Sequence, residues 1–415
     1  MQMMRVLAYT RSIDQVPPKA RRYVREGLEG PDLAKEMTDA RVRIVVSTVN
    51  LAARFWCMGV RKGHFDVLVV DEAGHTTEPE VIATATTLLN FGDAKNPAQL
   101  ILAGDPMQLG PVITSDLCKK FGMGVSYMER LVKTSPAYRA NANAQYPPDL
   151  VSFLKQNYRS HPSILKLPNE MFYHNKLVCS GDIFKTGSFC QWEHLPCKNF
   201  PILFHGIDGE NLREGTSPSW FNPQEAMEVA NYVDTLMNRS KPSIKAEEIG
   251  IITPYARQVQ KIRLLLEKKG HVGIKVGSVE TFQGQERRCI IVSTVRSETQ
   301  HLEHDRKYNL GFVANEKRFN VAITRAMALL IVVGNPRVLA TDKKNWLPFL
   351  AFCKMHGAWN GEEWGNDPAS DGDEDDDQID LLNGGSSDDE EAGDSIVEPS
   401  IVVTHEATGF LNREE

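Results

Sequence analysis

The 415-residue chain reads as an α/β protein of open parallel sheets, and three observations predict it. Short apolar runs recur at Val42–Val46, Val67–Val70, Leu100–Ala103, Ile249–Ile252, Cys289–Val292 and Leu329–Val333, each bounded by polar residues or by Gly and Pro. Short runs of this kind, mostly apolar, suit central strands of a parallel sheet buried on both faces. Between several of them lie amphipathic patterns, such as Pro223–Met237 and Tyr255–Lys268, spaced for helices. Strand–helix alternation of this kind places functional loops at the carboxyl ends of strands.

A polar, proline-bearing stretch at Ser135–Pro148 separates two groups of strands. The expected organisation is one domain over residues 1–148, a second over 149–357, and an acidic tail over 358–415. Residues 361–415 carry 19 Asp and Glu against one basic residue, Arg413, so the first 360 hold 46 basic and 35 acidic residues. The tail has too little apolar surface to offset its ordering entropy and is predicted to be disordered. A basic body with an acidic tail suits contact with a polyanion, although a solvated surface with a solubilising tail has the same charge pattern.

No apolar run approaches a membrane span, and Met1–Arg5 lacks a signal-peptide core. Seven dispersed cysteines suit reduced thiols and a cytosolic or nuclear setting. Cys190, His194 and Cys197, with Cys179 nearby, match no common zinc spacing and read as ordinary residues.

Asp71 and Glu72 carry the strongest local signal, directly after Val67–Val70. A hydrophobic strand that delivers two carboxylates to its end is the Walker B arrangement: the first can hold Mg²⁺ through water, and the second can orient or deprotonate the attacking water. The same pair could also merely cap the next helix. A second strand, Leu100–Ala103, runs into Gly104-Asp105-Pro106-Met107-Gln108-Leu109-Gly110-Pro111. There Gln108 can hydrogen-bond a γ-phosphate or its attacking water.

Asp71-Glu72-Ala73-Gly74, Gly104–Leu109, Asn157-Tyr158-Arg159-Ser160-His161-Pro162, Val279–Glu286 and Asn320–Ala326 occur in order. Together they resemble motifs II, III, IIIa, V and VI of the Upf1-like superfamily 1 helicases. The glycine of Asp71–His75 and the run Glu214–Ser219 resemble the Armitage-type RNA helicases of small-RNA silencing within that group. The likeness spans roughly residues 1–357. It implies two RecA-like domains, the first incomplete, and an ATP-dependent 5′-to-3′ motor on single-stranded RNA or RNA duplexes, with ATP and Mg²⁺ as cofactors.

The resemblance also assigns roles. Asp71 holds Mg²⁺ through water, Glu72 is the catalytic base and Gln108 contacts the γ-phosphate. Arg159 and Arg325 act as arginine fingers, which suits phosphoryl transfer because a guanidinium is always charged and matches phosphate oxygens. Tyr158 stacks on adenine, while Gln283, Gly284 and Glu286 lie near the phosphates and ribose. Thr253, Pro254, Thr281, Ser293 and Thr294 contact RNA, their hydroxyls and amides positioning the strand without reading sequence. RNA rather than DNA rests on the resemblance alone.

A motor of this class needs a Gly-x-x-x-x-Gly-Lys-Ser/Thr loop to cradle the phosphates. Gly-Lys occurs nowhere in the 415 residues. Met3–Tyr9 resembles a strand downstream of that loop, so the resemblance implies an N-terminally truncated first domain and a chain deficient in hydrolysis by itself. The rival reading is a non-catalytic RNA- or protein-binding fragment, or a scaffold. Trp359 and Trp364 stand at the start of the tail. Trp364 resembles the hooks that enter Argonaute pockets, whereas Trp359 reads equally as a last tryptophan packed on the domain edge. The family setting implies cytoplasm and ribonucleoprotein granules (P-bodies).

Overall fold

The computed structural model describes residues 2–363, apart from 26–29, 94, 96, 142–144, 216, 218, 240 and 299–314. The chain is α/β with parallel sheets and forms two compact units, one running to Leu154 and the other beginning at Lys155. The expected acidic tail, with Trp364, lies outside the described residues from 364 onward.

The first unit contains two parallel strand pairs. β1 (Gln2–Arg5) pairs with β2 (Val42–Val46), and β3 (Val67–Val70) pairs with β4 (Gln99–Leu102). Alternation along β3 and β4 gives each pair two unlike faces. Val70 on one face is buried, with Leu68, Leu100 and Leu102 packing beside it on Val81 and Met128. On the other face Val67, Val69 and Ile101 are 46%, 58% and 45% exposed. The helix Glu78–Leu88 begins with a capping box, in which the Thr77 backbone N–H donates to Glu80 Oε2 at 2.9 Å.

In the second unit, β5 (Gln156–Asn157) pairs with β6 (Val178–Cys179), and β8 (Leu212–Arg213) forms an antiparallel hairpin with β9 (Trp220–Phe221). The core is a six-stranded, all-parallel sheet. Its strands are β7 (Ile202–Gly206), β10 (Ile249–Ile252), β11 (Lys275–Gly277), β12 (Arg287–Ser293), β13 (Ala326–Gly334) and β14 (Trp359–Gly361). They lie in the order β11-β10-β12-β13-β7-β14.

Helices Pro223–Arg239 and Ala256–Lys268 set Val229, Val233, Val259 and Ile262 against Ile251, Cys289, Ile291 and Ile331. The alternate residues Ile290, Val292, Leu330 and Val332 are equally buried, and Glu316–Ile323 and Trp346–Met355 pack against β12 and β7. Both faces of these strands are thus covered, as a parallel sheet requires. The sheet extends past residue 357 because β14 pairs with β7 and the Trp359 ring packs 4.5 Å from that of Phe204. No helix among the described residues is long and apolar enough to cross a membrane.

Candidate nucleotide and nucleic-acid site

In the first unit the loops that follow β3 and β4 are docked backbone to backbone. The Ala73 N–H donates to the Ala103 carbonyl at 2.7 Å. Gly74 and Gly104 make that approach possible: a Cβ on Gly74 would meet the Asp105 carbonyl at 2.8 Å, and one on Gly104 would meet the Ala73 nitrogen at 2.9 Å. No side chain fits at either distance, so both glycines are steric requirements of the junction.

Asp71, Glu72 and Gln108 are carried by these loops. Asp71 and Glu72 are exposed at the carboxyl end of β3. Glu72 adopts φ 51°, ψ 41°, a left-handed conformation uncommon outside glycine, and its backbone N–H donates to Asp71 Oδ1 at 3.1 Å. Strain of that kind collects at functional sites. Asp105 is buried, accepting from the Met107 N–H at 2.9 Å and from Gln108 Nε2 at 2.8 Å. A carboxylate only accepts, so the bond fixes which end of the Gln108 amide faces inward. Asp105 escaped the sequence reading because Gly-Asp-Pro spells an ordinary turn.

The second unit gathers its candidates at two opposite ends of the sheet. At the amino end of β12, Arg159 Nε donates to Glu286 Oε2 at 2.5 Å and Arg159 Nη1 approaches the Thr324 carbonyl at 3.5 Å. Arg325, adjacent to β13, is buried, with Nε donating to the Val321 carbonyl at 3.3 Å, and its own carbonyl accepts from the Arg287 N–H. Gly284 has φ +67°, a value glycine reaches without a Cβ penalty. Gln283 is half-buried in the same turn. Tyr158 is exposed and its hydroxyl donates to Gln156 Oε1. These residues surround the amino ends of β12 and β13, where a parallel sheet less often carries its functional loops.

The candidate RNA contacts lie at the carboxyl ends of β10, β11 and β12. Thr281 is exposed and donates to the Ser278 carbonyl at 2.8 Å, and Pro254 is half-buried. Thr253, Ser293 and Thr294 are buried. Ser293 Oγ donates to Glu225 Oε2 at 2.6 Å, accepts from Gln258 Nε2 at 3.0 Å, and is thereby turned inward. Thr294 fills the space over Gly334, where a Cβ would come within 2.1 Å of its Oγ1. These three side chains therefore line the interior of the strand ends.

Glu225 organises that interior. Besides Ser293, it accepts from the Val295 N–H at 2.9 Å, while Asn222 Nδ2 donates to the Val295 carbonyl at 3.2 Å. Val295 is held at φ 74°, a costly value for a β-branched residue, by a bond at each of its backbone polar groups. Burial pushes the Glu225 carboxyl up to about 7, against the opposing pull of its hydrogen bonds from Ser293 and from the backbone. In sequence, Asn222-Pro223-Gln224-Glu225 spells a helix start, and the Glu225 N–H does donate to Asn222 Oδ1 at 3.0 Å. The carboxylate, though, is spent on the strand ends.

Among the described residues no three metal-ligating side chains cluster, and Cys190 Sγ lies 3.4 Å from His161 Nε2.

A family profile described as AAA domain matches residues 123–337, and a second of that description matches 19–116. The helicase mov-10-B.1 of Danio rerio is 47% identical over 77% of this chain and 32% of its own length. The human RNA helicase Mov10l1 is 42% identical over 97% of this chain and 31% of its own. The Drosophila melanogaster RNA helicase armi is 38% identical over 77% and 27%. The chain thus spans about a third of the length of these relatives. With its ordered motifs carried on parallel α/β sheets, the chain belongs to the Upf1-like superfamily 1 helicases, alongside the MOV-10 and Armitage proteins.

Proposed function

We propose that this chain is part of an ATP-dependent RNA helicase of the silencing type, which couples ATP hydrolysis to 5′-to-3′ movement along single-stranded RNA. The observation that carries the reading is the docked loop pair of the first unit, which fixes Asp71, Glu72 and Gln108 together at two strand ends through Gly74 and Gly104. Positioning of that kind is most of what phosphoryl transfer asks of a protein.

The residues present fit the cofactors. Asp71 offers one exposed carboxylate with an oxygen already oriented by the Glu72 N–H, which suits Mg²⁺, an ion that keeps several waters and takes few protein ligands. When bound, ATP·Mg²⁺ supplies the phosphoryl group and the charge that activates it. Glu72 then accepts a proton from the attacking water, and Gln108, its amide oriented by Asp105, positions that water. In the second unit, the guanidinia of Arg159 and Arg325 are of the kind that offsets negative charge on a phosphate; Glu286 holds Arg159 in orientation, and Arg325 is buried beside β13. Tyr158, exposed beside Arg159, offers a stacking face for adenine, and Gln283 and Gly284 offer amides near the phosphates and ribose.

RNA is the proposed strand, contacted at Thr253, Pro254, Thr281, Ser293 and Thr294, with the hydroxyl of Thr281 outermost. Cytoplasmic ribonucleoprotein granules and an Argonaute-type partner at Trp364 belong to the same proposal.

Lacking Gly-Lys anywhere, the chain by itself is expected to bind RNA without turning over ATP. RNA-stimulated hydrolysis by the purified chain, lost in Glu72→Gln, would refute that deficiency. Supplying a relative's strand–loop–helix with the Gly-Lys-Ser/Thr sequence ahead of residue 1 tests the motor itself. RNA-stimulated hydrolysis that disappears in Glu72→Gln is the expected result, and none at all would remove the proposal. A second reading, a non-catalytic RNA- or protein-binding fragment or scaffold, predicts RNA or protein binding but no hydrolysis even with the loop supplied.

A further inference from the structure

The hairpin of β8 and β9 sets Arg213 directly opposite Trp220. The Arg213 guanidinium carbon lies 3.8 Å from the centre of the Trp220 ring. Arg296 lies 4.3 Å from the same ring centre and 5.3 Å from that of Tyr255, and its Nε donates to the Tyr255 hydroxyl at 2.9 Å. Two guanidinium groups so near one ring centre fit only on its opposite faces. Tyr255, Arg296, Trp220 and Arg213 therefore form a layered column, and Arg213 alone is exposed. The buried layers leave the Trp220 ring little freedom, so the Arg213 guanidinium resting on it is held at the exposed end of the column.

The column begins at a strand end already of interest, because Tyr255 follows Thr253-Pro254 at the carboxyl end of β10. Beside it, Arg257 Nη1 lies 3.7 Å from Glu214, and Lys261 also bonds Glu214. One carboxylate against two cations leaves the patch positive, and Arg213 pairs with no carboxylate among the described residues. In sequence, Arg213 and Trp220 flank the run Glu214–Ser219.

We propose that Arg213 is a nucleic-acid contact of the second unit, stacking its guanidinium plane on one base of a single strand while Arg257 and Lys261 face the adjoining phosphates. This rests on the RNA reading above and names a contact within it. Flat guanidinium planes and aromatic rings are the surfaces on which unpaired bases stack. An acidic peptide, such as residues 371–394 of this chain, would satisfy the charge but leave the flat face unused, and the layering therefore favours a base.

The test uses the full chain and fluorescence anisotropy at fixed salt, with an oligouridine RNA of about 12 nucleotides and an abasic strand of equal length. Arg213→Ala and Arg213→Lys are both expected to weaken uridine binding about fivefold or more, the scale of one lost stack. On the abasic strand Arg213→Lys is expected to match the wild type, because there only charge remains to be recognised. Wild-type affinity of Arg213→Lys for uridine RNA would overturn the stacking, as would an unaffected Arg213→Ala. Should the effect of Arg213→Ala vanish once residues 364–415 are deleted, the patch binds the acidic segment and the proposal falls. Failure of the wild type to bind either strand defeats the RNA reading and the proposal with it.

Discussion

β3 and the central part of β12 are both short apolar runs, Val-Leu-Val-Val and Cys-Ile-Ile-Val, and both belong to parallel pairings. Their surroundings differ completely. In the second unit every residue of β10, and of β12 from Cys289 to Ser293, is buried. In the first, β3 and β4 turn Val67, Val69 and Ile101 to solvent at about half exposure. Fully burying a valine or isoleucine contributes about 1.5–3 kcal/mol, and the first unit forgoes much of that at each bare position. A strand's sequence fixes its backbone preference, but its stability comes from whatever covers it. The comparison also separates stability from site geometry, since the bare-faced unit holds Asp71, Glu72 and Gln108 on loops joined by a glycine junction that leaves no room for a Cβ.

The largest expected difference lies between equivalent truncations. Ile291→Ala, at the centre of β12, should cost roughly 2–5 kcal/mol through lost burial and the cavity left behind. Val69→Ala should cost less than about 0.5 kcal/mol, because the removed methyls already meet water. Urea denaturation followed by hydrogen exchange assigns each loss to its unit. Equal losses at the two positions would show that the face of β3 is covered in solution.

Next in size is the pH dependence of the second unit. The folded-state pKa of Glu225 is raised to about 7 by burial, so folding favours the protonated form. Its contribution is therefore fully present below the usual carboxylate range and is lost as pH rises through about 7. The melting temperature should fall across that window in the wild type. Glu225→Gln keeps an acceptor for Ser293 and the Val295 N–H and cannot ionise, so its melting temperature should be flatter across the same window. Parallel curves for the two proteins would place the titrating group elsewhere.

A smaller effect, of about 1–3 kcal/mol, is expected for Gly104→Ala, whose added Cβ would press on the Ala73 nitrogen at 2.9 Å. It should lower the stability of the first unit while leaving the second unchanged. Amide exchange at Ala73, whose N–H bonds the Ala103 carbonyl, reads the junction directly. Unchanged protection there would mean that the loops are not docked as described.

Much of this architecture is legible in the sequence, and the exceptions have physical reasons. β10, β12 and β13 announce themselves because a strand buried on both faces must be apolar throughout. β7 does not, since Pro201 precedes it and His205 interrupts it; β11 and β14 are three residues long and acquire strand character only from their neighbours. Asp71, Glu72 and Gln108 are legible because strand-end carboxylates and a loop glutamine have local spellings. The inward turn of Ser293 is not, because Glu225 stands 68 residues away in sequence. Arg213 was equally hidden, its meaning depending on Trp220 across a hairpin and on Arg296 beyond it.

The smallest expected effect is the sharpest probe of the bare face itself. Val67→Thr and Val69→Thr keep β-branched strand residues and nearly their volume, and they add a hydroxyl to a surface where water can solvate it. Together they should shift the stability of the first unit by no more than about 0.5 kcal/mol. The same change at Ile291→Thr buries that hydroxyl among Val229, Ile251 and Ile331, where an unpaired polar group costs about 1–3 kcal/mol beyond the lost packing. The double variant should nonetheless reduce binding of an apolar fluorescent dye, since contiguous exposed valine and isoleucine make a sticky patch. Reduced dye binding at unchanged stability is the signature of an open face. A stability loss approaching that of Ile291→Thr would instead mean that Val67 and Val69 are covered, and the contrast between the two sheets would then be one of sequence distance rather than of solvent exposure.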